Sequence, residues 1–193
     1  MDRAAFRRML LDYGERHPDE GPTLDAFLQL VDAEKDCFRR DCFPGHITAS
    51  AWIVSRERGA ALLTHHRKLD RWLQLGGHTD GEADVLASAI REAEEESGLR
   101  GFEALPRGGR AAILDLDVHA IPAIGDEPPH SHHDVRFLLE VSDRQPIQRQ
   151  QAESNSIRWF DAAGLARHVD EESLLRLARK AADWLGRDPA GPG

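Results

Sequence analysis

Residues Gly76 to Leu99 read GGHTDGEADVLASAIREAEEESGL. After the glycine pair, Val85, Leu86, Ala89, Ile90 and Ala93 recur at helical spacing, which predicts a helix over Asp84 to Ser97. Asp84 suits the N-cap, and Gly98 followed by the apolar Leu99 suits a left-handed C-terminal stop. On this helix Glu92, Glu95 and Glu96 stand at i, i+3 and i+4, so three carboxylates share one face. Like charges at that spacing repel by roughly 0.2–0.5 kcal/mol per pair. A divalent cation reverses the sign, because Mg²⁺ and Mn²⁺ are held by a few carboxylates, by water and by phosphate oxygens. Arg91 stands beside the cluster and suits a bidentate contact to a neighbouring carboxylate. The acidic run Glu94-Glu95-Glu96 alone would read as a solvated helix face; the glycine pair, Arg91 and the terminal Gly-Leu turn the reading toward a site.

Working outward, two helices are expected before the strands begin. Phe6, Met9, Leu10 and Tyr13 mark one over Arg3 to Arg16. Thr23 caps a second, whose stripe is Phe27, Leu28, Val31 and Phe38. Phe43-Pro44-Gly45 breaks the chain. Strands follow at Ile47–Val54 and Ala60–Thr64, with an extended piece at Trp72–Leu75, and beyond the helix at Ala111–Ile121, Asp134–Val141 and Ile157–Phe160. Pro122 to His133 reads as a Pro- and His-rich loop, Glu172 to Leu185 as a closing helix, and the end of the chain as a Pro/Gly tail. The expected class is α/β, a mixed sheet sandwiched between helices. The expected organisation is an N-terminal helical appendage over 1–44, a main domain over 45–187 and a flexible tail over 188–193. A patch as large as the two N-terminal stripes is rarely left exposed, so they pack on the sheet's flank or on a second subunit, and a homodimer is the expectation.

The chain has 193 residues, 40% hydrophobic and 31% charged, which fits one domain with an appendage. A net charge of -9 argues against nucleic acid or an anionic membrane as partner. Cys37 and Cys42, placed at a helix and its exit, lack the spacing of a zinc site and read as reduced thiols. No apolar window reaches the roughly twenty residues of a membrane span, so the expected location is cytoplasmic.

The stretch from Gly77 resembles the signature of the Nudix superfamily, G-x5-E-x7-R-E-U-x-E-E-x-G-U with U apolar. The matches are Gly77, Arg91, Glu92, Ala93, Glu95, Glu96, Gly98 and Leu99. One position departs: Ala83 stands where the first Glu belongs, between Glu82 and Asp84. Phrases from about Gly45 to Asp161 resemble a bacterial subgroup of the same superfamily. The resemblance implies a Nudix fold and a metal-dependent hydrolase of the phosphoanhydride in a nucleoside diphosphate linked to another group. Glu92, Glu95 and Glu96 would hold Mg²⁺ or Mn²⁺. Glu96, Glu95 or the downstream Glu153 would serve as base, with Arg91 assisting. Gly77 and His78 would meet the small-molecule substrate; Arg136 would contact phosphate or pair within the sheet.

The ten histidines leave two readings of His119, His130, His132 and His133: a zinc site, or the preferred one, substrate contacts and surface histidines. Ala83 also supports an alternative function, a Nudix-fold module that binds a nucleotide without cleaving it. An isomerase on the same fold ranks last, because Cys37 and Cys42 lie in the helical appendage.

Overall fold

The computed structural model describes residues 1–57, 59–123, 125–149 and 154–186. Glu153, a candidate base, and the tail over 188–193 lie outside the described residues. Helices α1 (Arg3–Arg16) and α2 (Gly21–Ala33) are joined by a 3₁₀ turn at Pro18–Glu20. Strands β1 (Gly45–Ser55), β2 (Ala61–His66), β3 (Arg71–Leu73) and β4 (Leu75–His78) precede α3 (Val85–Ser97). Then come β5 (Glu103–Ala104), β6 (Asp115–Ile121), β7 (His130–Val141), β8 (Ser154–Phe160), α4 (Ala162–His168) and α5 (Glu172–Trp184).

The sheet is mixed. β1 and β7 run parallel through its middle, in register from Gly45↔Ser131 to Ser55↔Val141. The other pairings are antiparallel: β2 and β4 on β1, β5 and β6 on β7, β3 and β8 on β2. Because strand side chains alternate, the central pair has two chemically distinct faces. Ile47, Ala49, Ala51 and Ile53 of β1 and Val135, Phe137, Leu139 and Val141 of β7 enter the larger core. There they meet Val85, Ala89 and Ala93 of α3 and Phe6, Leu10, Tyr13, Phe27, Leu30 and Val31 of the N-terminal helices. On the opposite face Trp52, Val54 and Leu138 pack under Leu174, Leu177 and Ala181 of α5. Further along that second face the residues are polar: His46, Thr48, Ser50, His132, Asp134 and Arg136.

Several expectations shift. β7 begins at His130, not Asp134, because each residue from Ser131 onward finds a parallel partner on β1, and His130 to Arg136 also pair with β6; backbone pairing on both sides overrides a sequence that looks like loop. Helix α2 begins before Thr23, with Pro22 in its first turn, and stops at Ala33. Phe38, Cys37 and Cys42 therefore sit in the segment beyond it, both cysteines buried and free. The stretch 111–114 is not strand, and two short elements with no strong local signal, β5 and α4, join the fold. The apolar stripes of α1 and α2 are buried within one chain, Phe6, Leu10, Tyr13 and Phe27 fully, so they give no ground for a second subunit. Among the described residues no helix is long and apolar enough to cross a membrane.

The shared core yields a test. Phe27→Ala should lower the unfolding free energy by about 3–5 kcal/mol, as for a large-to-small change in a packed interior, measured by urea denaturation. A change below about 1 kcal/mol would mean that α2 is not part of the main core.

Candidate functional site

Helix α3 is delimited as its sequence demands. Asp84 accepts the Ala87 N–H at 3.1 Å, and Gly98 closes the other end in the left-handed region at φ 72°. With Val85, Ala89 and Ala93 turned into the core, Glu92, Glu95 and Glu96 lie along the side that meets β4. Contact between helix and strand is close. The Gly76 N–H donates to Glu96 Oε1 at 2.9 Å. A Cβ at Gly77 would stand 2.6 Å from Glu92 Oε2, and one at Gly76 would stand 2.2 Å from the Ser50 Cβ, so neither position admits a side chain without rearrangement.

Arg91 ties these parts together. Its Nη1 donates to Glu92 Oε1 at 2.7 Å and to Glu95 Oε2 at 3.3 Å, and its Nη2 to the His78 carbonyl at 2.8 Å. Asp80 of the connecting loop is 3.7 Å away. Burial disfavours the Arg91 cation, but Glu92, Glu95 and Asp80 more than offset this and hold its pKa above the usual value. Glu94 turns aside from β4 and pairs with Arg100 at 2.7 Å. Glu96 is buried, Glu92 nearly so, and Glu95 half exposed at 49%. Burial pushes the Glu92 pKa up, against the opposing pull of Arg91. The two largely buried carboxylates, Glu92 and Glu96, are costly as anions alone and suit a hard divalent cation.

Ala83 packs against the apolar core. Its acidic neighbours are both engaged in forming the turn: Glu82 Oε1 accepts the Asp84 N–H at 2.8 Å, and Asp84 caps the helix. Asp84 also pairs with the N-terminal amine at 2.6 Å. Beside this loop lies a cleft of about 520 Å³ lined by Arg39, Arg40, Asp41, Phe43, Asp80, Asp126 and Glu127. No local motif marks Arg39 or Arg40, which reach the loop only through the fold: the Thr79 hydroxyl donates to the Phe38 carbonyl at 2.6 Å and the Gly81 N–H to the same oxygen at 2.7 Å. Arg39 pairs with Asp41 at 3.0 Å and Arg40 with Glu127 at 2.8 Å.

His78 ends β4 opposite Thr48 and joins a group of imidazoles on the polar sheet face. The His46 ring lies 5.2 Å from His78, 5.0 Å from His130 and 4.7 Å from His132. Burial, aided by neighbouring histidines, depresses the His46 pKa to about 4 and that of His132 to about 3. His119 is within ring contact of His132 and beside Asp117. His133 points to the other face, its ring edge-on to Phe27.

Arg136, expected at the substrate, is 4% exposed and fully engaged. Its guanidinium meets Asp134 at 2.9 Å, Asp117 at 3.1 Å and Asp115 at 3.2 Å, and donates to the Ser173 hydroxyl at 2.7 Å. Arg176 and Lys180 of α5 add to Asp115 at 2.9 and 2.7 Å. Burial opposes ionisation of Asp115 and Asp117, yet these cations hold both carboxylates below the ordinary range. Of the two readings of Arg136, pairing within the sheet is the one the structure supports.

A family model for the NUDIX domain matches residues 44–181. No curated protein matches the chain. Among solved structures, a NUDIX-family hydrolase from Clostridium perfringens is 29% identical with a TM-score of 0.54, over 72% of this chain and 97% of that one. An Ap4A hydrolase from C. elegans, in a binary complex, is 18% identical with a TM-score of 0.52, over 72% and 97%. The NUDIX domain of Shewanella oneidensis NrtR, complexed with ADP ribose, is 16% identical with a TM-score of 0.52, over 82% and 97%. The last two likenesses are of fold alone.

Removing the central guanidinium tests the role of Arg136. Arg136→Ala should cost about 3–5 kcal/mol of stability by leaving buried carboxylates unpaired, read by chemical denaturation. Unchanged stability would return Arg136 to the list of substrate contacts.

Proposed function

The chain belongs to the NUDIX family, whose pyrophosphohydrolases act on nucleoside diphosphate derivatives, and on that premise we propose that it cleaves the phosphoanhydride of a nucleoside diphosphate linked to a second group, using Mg²⁺ or Mn²⁺ held by Glu92, Glu95 and Glu96. The observation that supports this reading is the close approach of Glu92 and Glu96 to the Gly76-Gly77 backbone, with Glu95 tied to them through Arg91, which is clamped between the helix and the His78 carbonyl. When bound, the cation neutralises the diphosphate and stabilises charge on the leaving oxygen.

The chain's own groups do the rest. Arg91 fixes the Glu92 carboxylate and keeps β4 against the helix. Gly77 presents bare backbone to the diphosphate, and His78 follows as a polar contact. Arg39 and Arg40 line the cleft beside the box loop and would reach the phosphates of the substrate only by exchanging their present partners, Asp41 and Glu127. Glu96 or Glu95 positions and deprotonates the attacking water, with Glu153 as the alternative base. Water oxygen bonds to phosphorus, the anhydride P–O bond breaks, and the products are a nucleotide and the phosphorylated second group.

A second reading is carried by Ala83, whose packing against the core and engaged neighbours leave the metal cluster one glutamate short. In that reading the site binds the nucleotide with weak turnover or none.

Glu96→Gln should lower turnover by at least ~10²-fold on a confirmed substrate, as for loss of a group acting on charge or protons in the transition state. Its circular dichroism should not change; wild-type activity in this variant would remove the cluster from the mechanism. Ala83→Glu discriminates the two readings: under the enzyme reading it tightens Mn²⁺ binding in calorimetry and preserves or raises activity. Weaker Mn²⁺ binding would mean that the loop is built around the alanine.

A further inference from the structure

We propose that His46, His130 and His132 form a second metal site, for an imidazole-preferring ion of the zinc class, separate from the carboxylates of α3. The sheet builds it. In the parallel β1–β7 pair His46 is directly opposite His132, and the two-residue period of a strand brings His130 to the same face. One ring nitrogen from each of the three lies within 4.8 Å of the others. Zinc–nitrogen bonds of about 2.0–2.1 Å in a tetrahedron place the nitrogens roughly 3.4 Å apart, a contraction within reach of small ring rotations.

A second observation points to a ligand. His46 is 1% exposed, and its Nε2, buried, has no hydrogen-bond partner among the described residues. Buried polar atoms are nearly always satisfied, so this one calls for a missing partner. His46 Nδ1 lies 3.4 Å from the Cys42 carbonyl and His130 Nδ1 lies 2.9 Å from the Pro128 carbonyl. With protons on those nitrogens, each ring presents an Nε2 lone pair, the arrangement in which a backbone carbonyl orients a metal-binding histidine. Three neutral imidazoles favour Zn²⁺ over Mg²⁺, which takes oxygen ligands. A three-histidine site leaves a fourth position for water or a phosphate oxygen. His78, whose ring is 5.3 Å from that of His132, follows Gly77 directly, so the two clusters adjoin through β4.

The test uses the full chain, stripped with a chelator and titrated with Zn²⁺ and with Co²⁺ in excess Mg²⁺. One equivalent of Zn²⁺ should bind despite the Mg²⁺, and Co²⁺ should give the visible absorption of a tetrahedral nitrogen-ligated site. His132→Ala and His130→Ala should weaken Zn²⁺ binding at least ~10-fold, whereas Glu95→Gln should leave it unchanged. His132 is the less buried position, and a folded His132→Ala variant, checked by circular dichroism, keeps the comparison valid if His46→Gln does not fold. Failure of the wild-type chain to bind an equivalent of Zn²⁺ overturns the proposal. So does an equivalent that survives His132→Ala and is lost in Glu95→Gln, since the ion would then sit on α3.

Discussion

Everything at the site depends on how closely α3 approaches β4. The 2.9 Å bond from the Gly76 N–H to Glu96, and the absence of any side chain at Gly77 where Glu92 would collide with it, allow helix and strand to touch. β4 in turn is held by β1 over Thr48 to Ala51, which belongs to the long parallel pair at the centre of the sheet. The acidic face of a helix is thereby fixed to the central strands of the sheet. An exposed helix face could carry the same three carboxylates at little cost. Here Glu92 and Glu96 are largely removed from water, and that desolvation makes a divalent cation the natural complement.

The two faces of the central pair explain the remainder. One is apolar over most of its length, with His133 set against Phe27, and is covered by α1, α2 and α3, so that the N-terminal helices share a core with the sheet. The other is apolar only where α5 lies on it. Where the apolar contacts end, Arg136 gathers Asp115, Asp117 and Asp134, and Arg176 and Lys180 fasten α5 over them. Beyond that network the face carries imidazoles. Charge neutralisation holds the helix in place, and the histidines occupy the stretch beyond.

The box helix was legible to within a residue, because its cap, its apolar period and its terminal glycine are all local signals. The placement of Glu92, Glu95 and Glu96 on one helix was equally legible, since it needs only helical spacing; that Glu92 and Glu96 are buried against β4 while Glu95 stays exposed was not. What failed to show was set by distant partners. His130 to His133 look like loop until β1 and β6 supply hydrogen bonds on both sides. Arg136 reads equally as phosphate ligand or ion-pair member until three aspartates from two strands are placed around it. Arg39 and Arg40 come to the cleft through the backbone of Phe38, and His46 becomes a neighbour of His132 through strand register alone. Ala83 was visible as a departure from the signature; that Glu82 and Asp84 are occupied by the turn was not.

The central claim is that this site breaks a phosphoanhydride. The most direct measurement is ³¹P NMR of the full chain with a panel of nucleoside diphosphate sugars, dinucleoside polyphosphates, NADH and nucleoside triphosphates, each with Mg²⁺ or Mn²⁺. The account predicts that at least one compound is converted by loss of one P–O–P linkage, with new resonances of terminal phosphates (phosphate monoesters alone when the substrate is a diphosphate), and that a chelator stops the conversion. Tight binding of a panel member with its anhydride resonances intact, whichever cation is supplied, would contradict it.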